Sequence, residues 1–136
     1  MYRILVIDDQ RIFDPGKLSK ASDLYVVHCT TSDEGFVTLV TNQPWDEVWL
    51  DHDLGLDSTQ NGYEMVMDVI DAIESEGAKL DVKQFWVHSM NPVGARRMVL
   101  ALTRYFKVAR IDPTPYLDFD AMYANDRDPY LAGPMQ

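Results

Sequence analysis

The chain has 136 residues, 46% hydrophobic and 25% charged, a balance that suits one globular domain with a real core and excludes general disorder. Its 22 acidic against 12 basic side chains give a formal net charge of −10, which excludes an extended nucleic-acid backbone as partner, since that needs a basic face. No apolar run reaches the roughly 18 residues that cross a bilayer. The single cysteine, Cys29, excludes an intramolecular disulfide and favours a reducing, cytoplasmic setting.

The first element is a strand. Ile4 to Ile7 is a continuous apolar run, the pattern of a strand covered on both faces. It ends in two carboxylates, Asp8 and Asp9, and lacks a small-residue cleavage site, so it is not expected to be a secretion signal. Gln10 to Asp23 is the least regular stretch; Asp14-Pro15-Gly16 reads as a turn or a short helix start. Leu24 to Cys29 is the second strand. Thr31, with Glu34 three residues on, reads as a capping box that opens a helix whose apolar face holds Phe36, Val37 and Val40. Glu47 to Leu50 is the third strand, and Gly55 to Gly62 a polar loop that reads either as a lid or as an ordinary connection. Tyr63, Val66, Ile70 and Ile73 recur at helical spacing, and Gly77 suits the stop. Phe85 to Val87 is the fourth strand. Asn91-Pro92 reads as N-cap and first helical position, followed by a stripe of Met98, Val99, Leu102 and Tyr105 or Phe106. Val108 to Ile111 is a weaker fifth strand. This alternation predicts an α/β fold with a mostly parallel sheet and right-handed crossovers.

Residues 112–136 differ in kind. They hold four prolines, several aromatics and five carboxylates against one arginine. The expected organisation is therefore a domain over residues 1–112 and an acidic, Pro/aromatic arm over 113–136. That arm either docks through Tyr116, Leu117, Phe119, Met122 and Tyr123 or trails loosely.

In an open parallel sheet, ligands bind outside the carboxyl ends of the strands. Asp8, Asp9 and Arg11 follow the first strand; Asp51, His52 and Asp53 follow the third; His88, Ser89 and Asn91 follow the fourth. Three carboxylates together need a cation, and Asp8, Asp9 and Asp51 form an oxygen set suited to Mg²⁺ or Mn²⁺; the alternative is that the Asp8-Asp9 pair merely caps a turn. His52 and His88 read either as proton carriers or ligands, or as hydrogen-bonded structural residues. His28, inside the second strand, reads as structural. Ser89 suits phosphate binding, nucleophilic attack or capping of the next helix. Arg96 and Arg97 fall on the solvated side of their helix or meet an anion. There is no nucleophile elbow, and the acidic run after strand one excludes a glycine-rich phosphate loop.

These residues carry a resemblance. Ile4-Leu5-Val6-Ile7-Asp8-Asp9, Leu50-Asp51, Asn61-Gly62 and Ser89 resemble the acidic pair, phosphoacceptor, helix opening and Ser/Thr switch of two-component response-regulator receiver domains. The likeness covers about residues 3 to 112. It implies a flavodoxin-like, doubly wound five-stranded sheet of order 2-1-3-4-5. Two departures stand out: Asp112-Pro113 replaces the receiver Lys-Pro, and the acidic tail takes the place of the last helix. The closer resemblance is to the cyclic-phosphate-processing receiver domains. It lies in Asp8-Asp9-x-Arg11, Asp51-His52-Asp53-Leu54-Gly55, Asn61-Gly62-Tyr63 and Val87-His88-Ser89-x-Asn91-Pro92-x-Gly94-x-x-x-Met98.

That resemblance implies a metal-dependent phosphoesterase acting on a cyclic nucleotide or the 2′,3′-cyclic end of an RNA. Asp8, Asp9 and Asp51 would hold the divalent cation. His52 and His88 would be base and acid, in an unassigned order, with Asp51 as an alternative nucleophile. Arg11, Ser89 and Asn91 would bind phosphate, and Asp53 would orient a histidine or complete the metal shell. The expected partner is a small phosphorylated ligand or an RNA end, with no membrane; a protein could dock through the arm. Two alternatives remain: a stand-alone receiver phosphorylated on Asp51, and a degenerate receiver that only binds protein.

Overall fold

The computed structural model describes residues 1–9, 12–13, 24–54, 60–89, 91–111 and 116–117. Its elements run β1 (Tyr2–Ile7), β2 (Ile12–Phe13), β3 (Leu24–Cys29), α1 (Ser32–Thr41), β4 (Glu47–Leu50), α2 (Gly62–Glu76), β5 (Phe85–Val87), α3 (Pro92–Leu102), β6 (Val108–Arg110) and β7 (Tyr116–Leu117). The five longer strands form one parallel sheet in the order β3-β1-β4-β5-β6. Counting only those strands, this is the expected 2-1-3-4-5 order of the receiver-like flavodoxin fold.

The period-2 alternation of a strand sorts the side chains into two cores. Leu5, Ile7, Val48, Leu50, Phe85 and Val87 face one side, where they meet Leu39 of α1, Met65, Val66 and Val69 of α2, and Met98, Val99 and Leu102 of α3. Ile4, Val6, Trp49, Trp86 and Ala109 face the other, where the Trp49 and Trp86 rings stack 5.5 Å apart. Both sets are buried, which is why the strands read as unbroken apolar runs rather than alternating ones. Glu47 is the exception among them: it is fully buried, and its carboxylate accepts from the Tyr2 hydroxyl and, at 3.0 Å, from Trp49 Nε1.

The caps at Gly77 and Asn91 behave as their residues predict, while the box expected at Thr31 closes on one side only. Thr31 Oγ1 accepts from Glu34 N at 3.2 Å to start α1; the Glu34 carboxylate meets Thr31 Oγ1 at 3.5 Å instead of closing the box on the backbone. Asn61 makes a full capping box with Glu64, a cap the apolar stripe alone did not predict. Gly77 ends α2 at φ 69°, in the left-handed region that glycine enters without a Cβ clash. Asn91 caps α3 and Pro92 occupies its first turn. Cys29 is buried with its Sγ 3.5 Å from Thr38 Oγ1, and burial pushes the thiol pKa up.

One pairing was not expected: Ile12↔Tyr116 and Phe13↔Leu117 form a small parallel ladder, so part of the arm lies beside the segment that follows β1. A two-residue strand has no period to read, so pattern alone could not find it. The short-helix expectation over 14–23, the lid expectation over 55–59, the boundary at 112/113 and the docking of Phe119, Met122 and Tyr123 lie outside the described residues. Among the described residues no helix is long and apolar enough to cross a membrane.

Candidate functional site

The parallel ladder runs one residue past the strands and thereby positions the polar groups. Asp8 N bonds Cys29 O, Asp51 N bonds Ile7 O and His88 N bonds Leu50 O, each at 3.0 Å. The tips of β1, β4 and β5 are thus locked side by side at their carboxyl ends. Asp8, Asp9 and Asp51 each place a carboxylate oxygen within 4.8 Å of the other two. Asp8 is fully buried, Asp51 is 4% exposed and Asp9 is half-buried. At that separation each ionised pair repels by on the order of 3 kcal/mol for an effective dielectric of 20. Unneutralised, the cluster opposes the fold. The donor set is entirely carboxylate oxygen, which fits a hard divalent cation and not a thiolate- or imidazole-seeking one.

The two histidines meet different members of this cluster. His88 is fully buried, and its Nε2 lies 2.8 Å from Asp8 Oδ2. An ionised carboxylate only accepts, so Nε2 carries the hydrogen. Its Nδ1 is buried with no hydrogen-bond partner, and its ring lies 5.9 Å from that of Trp49. His28, expected to be structural, brings Nε2 within 2.7 Å of the Asp8 carbonyl oxygen.

His52 faces the helices. Its Nδ1 lies 2.7 Å from Asp53 Oδ1 and 3.4 Å from Asn91 Nδ2. The shorter, charge-assisted contact decides the tautomer: Nδ1 donates to Asp53, leaving Nε2 as the ring's acceptor. The imidazole is 12% exposed and its carboxylate partner 68%. The backbone N–H of His52 donates to Asp51 Oδ1 at 2.8 Å, which ties the dyad to the carboxylate cluster.

Two glycines make room for His52. Gly62 N donates to His52 O at 2.6 Å, and a Cβ at Gly62 would lie 2.2 Å from Asp51 O and 3.0 Å from His52 Cα. A Cβ at Gly94 would lie 2.3 Å from His52 Cδ2 and 2.6 Å from its Nε2. His52 is therefore wedged between the first turns of α2 and α3. Sequence reasoning noted both glycines but not this duty; their signal was a glycine at the first turn of each helix, where nothing in helix propensity asks for one.

The remaining site residues divide. Asn91 reaches the site, with its Oδ1 accepting from Gly94 N at 2.9 Å and its amide nitrogen beside His52. Ser89 is fully buried, and its Oγ accepts from Asn91 N at 3.0 Å, shaping the turn into α3. Arg11 lies outside the described residues.

A parallel α/β sheet of this order, with its ionisable groups gathered at the carboxyl edge, defines a receiver-like protein. Residues 3–104 match the cyclic-phosphate processing receiver domain, and the chain belongs to that family. No curated protein matches the chain. Among solved structures, one similar chain is a yeast Spc42 trimeric coiled-coil segment (amino acids 181–211) fused to another structure, at 14% identity and a TM-score of 0.48 over 84% of this chain and 68% of that one. That likeness is too low to bear on this chain's activity.

Proposed function

We propose that the chain is a metal-dependent phosphoesterase that opens a cyclic phosphate, with His52 as the proton carrier. The observation that carries this reading is the His52–Asp53 dyad, tied through the His52 backbone N–H to the three-carboxylate cluster. Family membership supports the substrate class. Asp8, Asp9 and Asp51 would hold Mg²⁺ or Mn²⁺, which when bound offsets their repulsion and polarises the phosphate.

The chain's own groups then divide the work. His52 Nε2 takes a proton from water; the oxygen forms a new bond to phosphorus, and one ring P–O bond breaks. The proton goes to the departing alkoxide, giving a phosphomonoester and a free hydroxyl. Asp53 holds the ring in the tautomer that leaves Nε2 able to accept. His88 does a different job in this reading: sealed from solvent, it orients Asp8, as hydrogen-bonded groups behind a metal ligand do. Asn91 and Ser89 hold the turn that places Gly94 against His52.

The test is release of phosphomonoester from 2′,3′- and 3′,5′-cyclic nucleotides with Mg²⁺ or Mn²⁺ and with chelator. Metal-dependent turnover is expected, reduced about 10²–10⁴-fold in His52→Ala, the usual range for a lost acid–base group. Wild-type rates in His52→Ala, or in Asp51→Asn, would refute the mechanism.

A further inference from the structure

Arg97 is a cation held against an aromatic ring. Its guanidinium carbon sits 4.0 Å above the centre of the Tyr63 ring, inside the ~6 Å limit of a cation–π contact. Among the described residues, no hydrogen bond or ion pair engages its N–H groups. Other arginines are engaged: Arg3 with Asn42 and Pro44, and Arg104 with Glu74 at 3.3 Å.

Its position is the second observation. Tyr63 directly follows Gly62, which touches the His52 backbone, and Arg97 lies one turn beyond Gly94, which touches the His52 ring. Helical side chains lean back towards the N-terminus. Both therefore project towards the level of His52, from the two helices that enclose it. The ring holds the guanidinium by its charge, and its N–H donors have no partner among the described residues; a guanidinium fork matches two phosphate oxygens.

We propose that Arg97, held on the Tyr63 ring, is a substrate-binding residue that takes the non-bridging oxygens of the cyclic phosphate; this rests on the phosphoesterase reading. Beside three carboxylates, an anionic substrate needs a fixed positive group, and Arg97 supplies it without neutralising the cluster itself. Arg96, its exposed neighbour, has no ring beneath it among the described residues and serves as the control.

The experiment titrates 2′,3′-cyclic AMP with Mg²⁺ into ¹⁵N-labelled His52→Ala protein, which blocks turnover under the proposed mechanism, and follows the Arg97 Nε–H signal. Kd is measured in the same background, with KM and kcat in the His52-containing chain. Arg97→Gln is expected to weaken binding roughly tenfold to a hundredfold, the loss of a charge-assisted hydrogen bond. Arg97→Lys should recover part of it, and Tyr63→Leu should weaken binding more than Tyr63→Phe, while Arg96→Gln leaves it unchanged. An Arg97→Gln Kd equal to that of Arg96→Gln, or no ligand-dependent shift of the Arg97 signal, overturns the inference. Turnover with an unchanged KM in Arg97→Gln removes the role of Arg97 and leaves the phosphoesterase; Arg97-dependent binding without turnover in the unsubstituted chain does the reverse.

Discussion

A methyl group at Gly94 and one at Gly62 would strike different things. At Gly94 it meets the His52 ring, a side chain whose rotation can take up part of the clash. At Gly62 it meets the Asp51 carbonyl oxygen and His52 Cα, which are backbone and cannot move independently. Alanine also favours a helix over glycine by about 1 kcal/mol and restricts the unfolded chain. Gly94→Ala is therefore expected to cost less stability than Gly62→Ala, while displacing His52 and, under the proposed mechanism, lowering turnover at least about tenfold, the usual penalty of a misplaced catalytic group. Gly62→Ala should lower the denaturation midpoint further. Thermal melts and initial rates on the two variants check this; equal loss of stability in both would contradict the geometry. The histidines make a related point at this scale. His88 shares the sheet face of Trp86, two residues earlier, so its parity already points it into the second core. His52 lies beyond the end of β4, where strand parity no longer applies and the glycine contacts decide its direction.

At the scale of the element, the first turns of α2 and α3 carry the site, and their caps matter more than their length. Asn61 Oδ1 accepts from Glu64 N at 2.8 Å, and Glu64 Oε1 accepts from Asn61 N at 3.1 Å. Both bonds satisfy amides that the helix leaves open. Asn61→Ala is expected to cost about 1 kcal/mol of stability, as cap removals do, measured by urea denaturation. Because Gly62 N bonds His52 O, the same variant should loosen the His52 loop, visible as faster amide exchange at Gly62. Unchanged exchange there would separate the cap from the site. These helices were legible in the sequence, since Asn91-Pro92, Gly77 and the apolar stripes are local signals. Their packing against His52 was not, because it depends on where the loop after β4 delivers that ring.

For the whole molecule, the decisive feature is a cluster of negative charge inside a chain of net charge −10. A cation bound only by the folded state stabilises it by RT ln(1 + [L]/Kd), about 2.7 kcal/mol at a hundredfold excess over Kd. Mg²⁺ is expected to raise Tm, on the order of 4 °C per kcal/mol for a domain of this size. Asp51→Asn should raise Tm in chelator, by relieving repulsion, and abolish the Mg²⁺-dependent rise. A Tm indifferent to Mg²⁺ in the unsubstituted chain would remove the metal from the mechanism.

The sequence by itself determined the order of the five longer strands and the three helices between them, the caps at Thr31, Gly77 and Asn91, and the three polar strand ends, because each rests on residues near one another in the chain: apolar runs, a Thr, an Asn, a Pro and a Gly. Strand order came from resemblance to receiver domains, and the sheet has that order. Only the tertiary structure decided which groups meet. Asp8 and His88 are 80 residues apart and close to 2.8 Å because β4 lies between β1 and β5. The same packing closes His88 on Asp8 and His52 on Asp53; strand parity points His88 inwards but names neither partner. It also sets Arg97 over Tyr63, since α2 and α3 are brought together only by burying their stripes on one face of the sheet.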